Sequence, residues 1–213
     1  MQISIIGAGR MARVFAGQWQ RLGHDIFIGA RDITKARELA LEVGPAVHHG
    51  TIEAAADAGD MILLAVKEAG AVPAVLAAAG SGSLAGKPII DCTNGVDPVA
   101  GLLEHGKSIA ERIADAAPEA HVVKCFNLCH FKVWENGPPR YNGTRLAVPF
   151  CGDDPSAKAE TARLVEAMGY RPIDIGPLMR ARNLEAMAGI VIGLLFQGAD
   201  PSTTFNLVDV TAR

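Results

Sequence analysis

Six residues near the start of the chain, Gly7-Ala8-Gly9-Arg10-Met11-Ala12, have the types and spacing that bind a dinucleotide pyrophosphate. Gly7 permits a tight turn, and Gly9 lets the backbone approach phosphate oxygens closely. The small Ala12 lets a helix pack on the preceding strand, and the positive end of that helix attracts the anion. Such a glycine pattern carries weight only with a strand before it and a helix after it. Gln2-Ile3-Ser4-Ile5-Ile6 reads as the buried strand and residues 11–22 as the helix.

About 20 residues further on, an acidic side chain at the end of the second strand would select a ribose 2′-hydroxyl. Here the strand Asp25-Ile26-Phe27-Ile28 leads instead into Gly29-Ala30-Arg31, with Lys35 one helical turn later. A neutral residue followed by arginine suits a 2′-phosphate, because a guanidinium pairs with it through two hydrogen bonds. Arg10 in the glycine loop is a further candidate for that phosphate. These features point to NADP(H). Arg31 and Lys35 would also serve as solvated charges at a helix entrance. Asp32, a carboxylate unwelcome beside a 2′-phosphate, reads as the N-cap of the helix beginning at Ile33.

In open parallel sheets, ligands bind beyond the carboxyl ends of the strands. The residues expected there are Ala65-Val66-Lys67, then Asn94 and Gly95, then Asn127. Val66 suits packing against a nicotinamide ring. Asn94 and Asn127 suit hydrogen bonds to ribose or carboxamide, although asparagine after a strand also serves turns. No general-acid constellation stands out. His130 alone among the six histidines falls in a candidate active-site loop. Cys125 and Cys129 lack a second pair or a histidine partner, so no metal site is expected and buried thiols are the default. Carbonyl reduction needs a group that protonates the alkoxide, whereas hydride transfer between two rings needs mainly their stacking. The sparse titratable chemistry favours the ring acceptor.

Strand-like and helix-like segments alternate to hold these residues. Further strands are expected at Ala46-Val47-His48, residues 61–66, Pro88-Ile89-Ile90-Asp91, His121-Val122-Val123-Lys124, residues 146–151 and residues 171–175. Helices are expected at 33–43, 68–79, 108–116, 154–168 and 181–197. Pro149 suggests an edge strand. Residues 127–145, with Trp134, Gly137, Pro138, Pro139 and Gly143, break the rhythm and read as a long loop or partial helix. The fold class is α/β, a Rossmann-type doubly wound, mainly parallel sheet with a small C-terminal α/β extension. The 213 residues form one NAD(P)-binding unit, with no clear linker.

Composition excludes several classes. The net charge is −3, with 49% hydrophobic residues and four cysteines. No basic surface for nucleic acid is implied. No apolar run approaches the roughly 18 residues that span a membrane. The chain opens directly on its first strand without a signal-peptide pattern, and a cytoplasmic location is expected.

The residue blocks are similar to those of a known group. Ile5-Ile6-Gly7-Ala8-Gly9, Ile28-Gly29-Ala30-Arg31, Ile90-Asp91-Cys92-Thr93-Asn94 and Val122-Val123-Lys124-Cys125-Phe126-Asn127 carry the resemblance. So do Cys151-Gly152-Asp153-Asp154, Asp174-Ile175-Gly176-Pro177-Leu178 and Ala181-Arg182-Asn183-Leu184-Glu185. The chain resembles NADPH-dependent reductases of the deazaflavin coenzyme F-420, and the oxidoreductase domain of the six-transmembrane epithelial antigen metalloreductases. The resemblance runs along nearly the whole chain. It implies NADP held by the glycine loop and Arg31, with Ala30 standing where many relatives have serine. It implies an acceptor cleft near Asn127, a C-terminal part (126–213) completing that cleft, and a homodimer. The co-substrate implied is a deazaflavin, with FMN as a related acceptor. Two other functions remain open: a small-molecule imine or carbonyl reductase using His130, and a non-catalytic NADP-binding sensor.

Overall fold

The computed structural model describes residues 1–79, 84–95, 106–136, 140–141 and 143–199. Gly137, Pro138 and Pro139 lie outside the described residues, as does the end of the C-terminal part. The elements run β1 (Gln2–Ile6), α1 (Arg10–Arg21), β2 (Asp25–Gly29), α2 (Ile33–Val43), β3 (His48–Gly50), α3 (Ile52–Ala58), β4 (Met61–Leu64), α4 (Glu68–Ala79) and β5 (Pro88–Asp91). They continue with α5 (Ile109–Ala116), β6 (His121–Lys124), α6 (Phe131–Asn136), β7 (Arg140–Tyr141), β8 (Thr144–Arg145), β9 (Ala147–Gly152), α7 (Pro155–Ala167), β10 (Arg171–Asp174) and α8 (Ala181–Phe196), the last preceded by a 3-10 turn at Leu178–Arg180.

Eight strands form one sheet in the order β10-β9-β6-β5-β4-β1-β2-β3. The strands from β6 to β3 are parallel, whereas β9 meets β6 antiparallel and pairs β10 in parallel. This is the Rossmann-type doubly wound sheet with its α/β extension. The alternation of apolar side chains explains the two layers. Met61 and Leu63 pack with α1, α2, α6 and α7 on one face, and Ile62 and Leu64 with α3, α4, α5 and α8 on the other. Because β1 is flanked by β2 and β4, the strand order reverses between β1 and β4, the chain building outward to β3 before returning to β4. The loops after those two strands therefore open a crevice.

Three local expectations change. The third strand lies at His48–Gly50, two residues later than expected, because Val47 closes a turn onto the Gly44 carbonyl after α2. The short α3, capped by Thr51, has too few residues to impose a periodic signal. Pro149 lies in an interior strand, not at a sheet edge. The carbonyls of Leu146 and Phe150 face β10, so Pro149 faces β6, whose ladder with β9 is confined to Val123–Gly152 and Lys124–Cys151. The missing N–H therefore breaks no ladder bond. The irregular segment 127–145 contains α6 and the small β7–β8 hairpin.

Candidate functional site

The turn after β1 is shaped by backbone contact. Gly7 has φ +128°, its N–H donates to the Gly29 carbonyl at 2.8 Å, and a Cβ there would press into the Ala65 carbonyl. The three strand ends β1, β2 and β4 thus converge on a residue that must be glycine. Gly9 differs, because a Cβ there would find no described atom within 4 Å. It occupies the N-cap of α1 without a side-chain hydrogen bond, and the first turn carries no acidic residue. The N-terminal amides of α1 thus lack side-chain capping from the described residues, a positive end available to an anion. Ala12 is fully buried against the sheet, Met11 packs beside it, and Ala8 is partly buried.

At the end of β2, Ala30 is partly buried and Arg31 is exposed. Arg31 makes no ion pair among the described residues. Asp32 is the N-cap of α2, its Oδ1 accepting from the N–H groups of Thr34 at 3.1 Å and Lys35 at 3.3 Å. Its second oxygen lies 3.7 Å from Lys35 Nζ. The carboxylate is thus occupied by the helix and by Lys35, which leaves the guanidinium as the uncommitted charge.

Beyond β5 and β6, two asparagines bind each other. Asn94 Nδ2 donates to the Asn127 carbonyl at 3.0 Å, and Asn127 Nδ2 donates to Asn94 Oδ1 at 2.8 Å and to the Leu184 carbonyl at 3.1 Å. Asn127 is buried, yet its Oδ1 accepts no hydrogen bond among the described residues. The preceding Phe126 has φ +63°, a left-handed backbone costing on the order of 1–3 kcal/mol for such a side chain. An aromatic cluster holds it there: its ring centroid is 4.6 Å from Phe15 and 5.4 Å from Trp134. The turn at Phe126 swings the chain out of β6 and delivers Asn127 to Asn94. Gly95 is packed inward. Its N–H donates to Glu185 Oε2 at 3.0 Å, and a Cβ there would meet Ile109 at 2.5 Å. Val66 borders the glycine turn, since its Cγ1 would lie 3.4 Å from a Cβ on Gly7. Ala65 is buried and Lys67 is exposed.

A charged cluster beneath these loops was not foreseen from sequence. Lys124 Nζ donates to Asp91 Oδ2 at 2.7 Å, to Glu185 Oε1 at 2.6 Å and to the Thr93 carbonyl, and all three charged side chains are completely enclosed. Three donors meet three acceptors, so Lys124 has no proton left to offer a substrate. Burial pushes its pKa down, but Asp91 and Glu185 outweigh that and hold it above its ordinary value. Glu185 also accepts from Ile109 N–H at 2.9 Å, at the start of α5. Asp91 Oδ1 accepts from the N–H and hydroxyl of Thr93, at 2.9 and 2.6 Å. The sequence signal was present: a lone acid and a lone base end two apolar strands, and a glutamate interrupts an apolar helix.

His130 is exposed at the start of α6, with its ring centroid 4.3 Å from Phe131. The Arg10 guanidinium lies 5.2 Å from the Phe131 ring centre, so the loop carrying His130 abuts the glycine turn. The thiols are suppressed: burial pushes Cys92 and Cys151 up to about 12 and Cys129 up to about 11. Among the described residues, no three His, Cys, Asp or Glu side chains are grouped to hold a metal ion, and no helix is long and apolar enough to cross a membrane.

Comparison with known proteins bears on this crevice. The family described as "NADP oxidoreductase coenzyme F420-dependent" matches residues 2–95, from β1 to the Asn94 turn. Metalloreductase STEAP3 of Rattus norvegicus is 30% identical over 187 residues, covering 87% of this chain and 36% of the relative. The chain thus spans about a third of the length of the first curated relatives it matches. An F420-dependent NADP reductase of Methanocaldococcus jannaschii is 27% identical over 202 residues, covering 87% of this chain and 88% of the relative. A solved structure from Arthrobacter sp. FB24, described as a candidate F420-dependent NADP-reductase, superposes with a TM-score of 0.80 at 30% identity, covering 93% of this chain and 96% of that one. By fold, by glycine turn and by sequence across nearly its whole length, the chain belongs to the family of coenzyme F420-dependent NADP oxidoreductases.

Proposed function

We propose that the protein binds NADP(H) in the crevice at the β1–β4 switch and passes hydride between it and a deazaflavin or flavin-like ring. The observation that carries the cofactor reading is the unfilled hydrogen-bonding and charge capacity of the site among the described residues. Gly7 is required by the protein's own packing, whereas Gly9 is not, and its open face suits a phosphate. Among the described residues, the α1 amides lack side-chain caps, Arg31 has no ion pair and Asn127 Oδ1 has no donor, three separate positions that a phosphorylated dinucleotide would complete.

In this reading Gly7, Ala8, Gly9, Arg10, Met11 and Ala12 form the pyrophosphate turn. Ala30, Arg31 and Lys35 receive the 2′-phosphate. Ala65, Val66 and Lys67 flank the nicotinamide side, and Asn94 and Asn127 present amide groups to it. Gly95 acts through the packing of that wall. When bound, the nicotinamide supplies the hydride. The chain's residues orient it and exclude water. With Lys124 saturated and the thiols suppressed, the wall offers little acid chemistry, which supports ring-to-ring transfer. The loop from Asn127 and α6 form the acceptor side, and the 126–213 part completes it.

A homodimer is supported by exposed apolar residues of α8, namely Met187, Ile190, Leu195 and Phe196. A cytoplasmic location follows from the same reading. A second reading, an imine or carbonyl reductase, is favoured only by His130 beside the glycine turn. The test is NADPH oxidation by purified protein with an F-420-type deazaflavin, FMN, riboflavin and ferric chelates supplied separately. Turnover with the deazaflavin or a flavin supports the proposal. Turnover with ferric chelate alone would replace the ring acceptor by iron. Saturable NADPH binding without turnover of any of these would favour the second reading or a sensor.

A further inference from the structure

The first turns of α8 grip both strand-end loops at once. Leu184 offers its carbonyl to Asn127 Nδ2 at 3.1 Å. The next residue, Glu185, binds Lys124 Nζ at 2.6 Å, the Gly95 N–H at 3.0 Å and the Ile109 N–H at 2.9 Å. Gly95 directly follows Asn94, and Asn94 is the other partner of Asn127. One carboxylate therefore joins β6, the β5 loop, the start of α5 and the helix that clamps the Asn127 amide. Clamping fixes which way that amide faces. With Nδ2 spent on Asn94 Oδ1 and Leu184, Oδ1 is left as a buried acceptor with no donor among the described residues.

Building an ion pair into this position is costly unless every oxygen and proton is satisfied. Here Glu185 is enclosed; both oxygens accept from backbone amides, and Oε1 also accepts from Lys124. An apolar residue would hold α8 on the sheet, but it would not fix the helix in register with two loops. We propose that Glu185, through Lys124 and the Gly95 N–H, is a positioning residue that sets the Asn127 carboxamide as an acceptor for the nicotinamide end of NADPH. The inference rests on the cofactor reading above.

The test is a double-mutant cycle read by NADPH fluorescence titration, with thermal unfolding followed in parallel. The proteins are wild type, Glu185→Gln, Asn127→Ala and the double variant. Each single change is expected to raise the NADPH Kd about tenfold, the scale of one lost hydrogen bond. The double variant should be no weaker than the worse single one, because both remove the same contact. Losses that multiply in the double variant would mean that Glu185 is merely structural, and would overturn the inference. So would a Glu185→Gln protein whose Kd stays within about twofold of wild type while its melting temperature falls. Should Glu185→Gln unfold, Glu185→Asp, which keeps the charge opposite Lys124 but shortens its reach to the Gly95 N–H, takes its place in the cycle. A wild-type protein with no saturable NADPH binding would overturn both this inference and the cofactor reading, whereas the other adverse outcomes leave that reading standing.

Discussion

Asp91 and Lys124 are register partners on adjacent parallel strands, joined at 2.7 Å with no exposure of either side chain. Their position at the carboxyl ends of β5 and β6 puts a buried charge pair directly under the loops that carry Asn94 and Asn127. Opposite charges at such a point tie the strand ends together without reaching solvent.

Removing the cation from this cluster leaves two enclosed carboxylates facing each other. Lys124→Met is expected to destabilise the protein by about 3–5 kcal/mol, the usual cost of breaking a buried pair from one side. Urea unfolding followed by circular dichroism measures this. A shift below about 1 kcal/mol would mean that water reaches the cluster.

Cofactor choice is read at Arg31. Arg31→Ala should weaken NADPH binding by about 1.5–3 kcal/mol and leave NADH nearly unchanged, because only the 2′-phosphate is lost as a partner. Parallel titrations with both nucleotides decide it. Equal losses would assign Arg31 to the structure of the α2 entrance.

Gly7→Ala sets a side chain against the Ala65 carbonyl at φ +128°. Backbone strain alone costs on the order of 1–3 kcal/mol, and the clash adds to it. A lower melting temperature is expected, together with weaker NADPH binding. Gly9→Ala meets no described atom and should leave the melting temperature near wild type, while still weakening NADPH. The contrast separates a glycine demanded by the fold from one demanded by the ligand.

The acceptor class is tested at His130. General acid catalysis contributes about 10²–10⁴-fold. Ring-to-ring transfer predicts a smaller loss of kcat in His130→Ala, with NADPH affinity retained. A fall of about 100-fold or more would identify His130 as a proton donor and support the imine or carbonyl reading.

Acid stability has a marker in Glu111, which forms a capping box with Ser108 and a two-point ion pair with Arg182. Partial burial raises its pKa, but Arg182 and Ser108 outweigh this and lower it from 4.5 to about 2. A depressed folded-state pKa stabilises above the unfolded value and is lost as pH falls through the folded one. Wild type should therefore exceed Glu111→Gln in melting temperature above about pH 4.5, and the gap should shrink towards pH 2.

The sequence by itself determined the parts of this protein that depend on local periodicity and steric demand. Strand β1, the glycine turn and α1 were legible because alternation, a residue tolerating φ +128° and a helical pattern follow one another within 21 residues. Asp32 could be read as a cap for the same reason, since its hydrogen bonds reach only two and three residues along the chain. Tertiary structure decided what rests on distant partners. Asp91, Lys124 and Glu185 are separated by 33 and 61 residues and meet only when α8 closes over the sheet. Asn94 and Asn127 were visible as loop residues at strand ends, but their mutual bond needed the left-handed turn at Phe126, which an aromatic cluster from three parts of the chain maintains. Pro149 shows the same limit, because sequence could tell that its missing N–H must face no ladder, and only the sheet showed that an interior strand supplies such a place. Local rules constrain dihedral angles and faces; which charges and amides become neighbours is set by the packing that brings remote segments together.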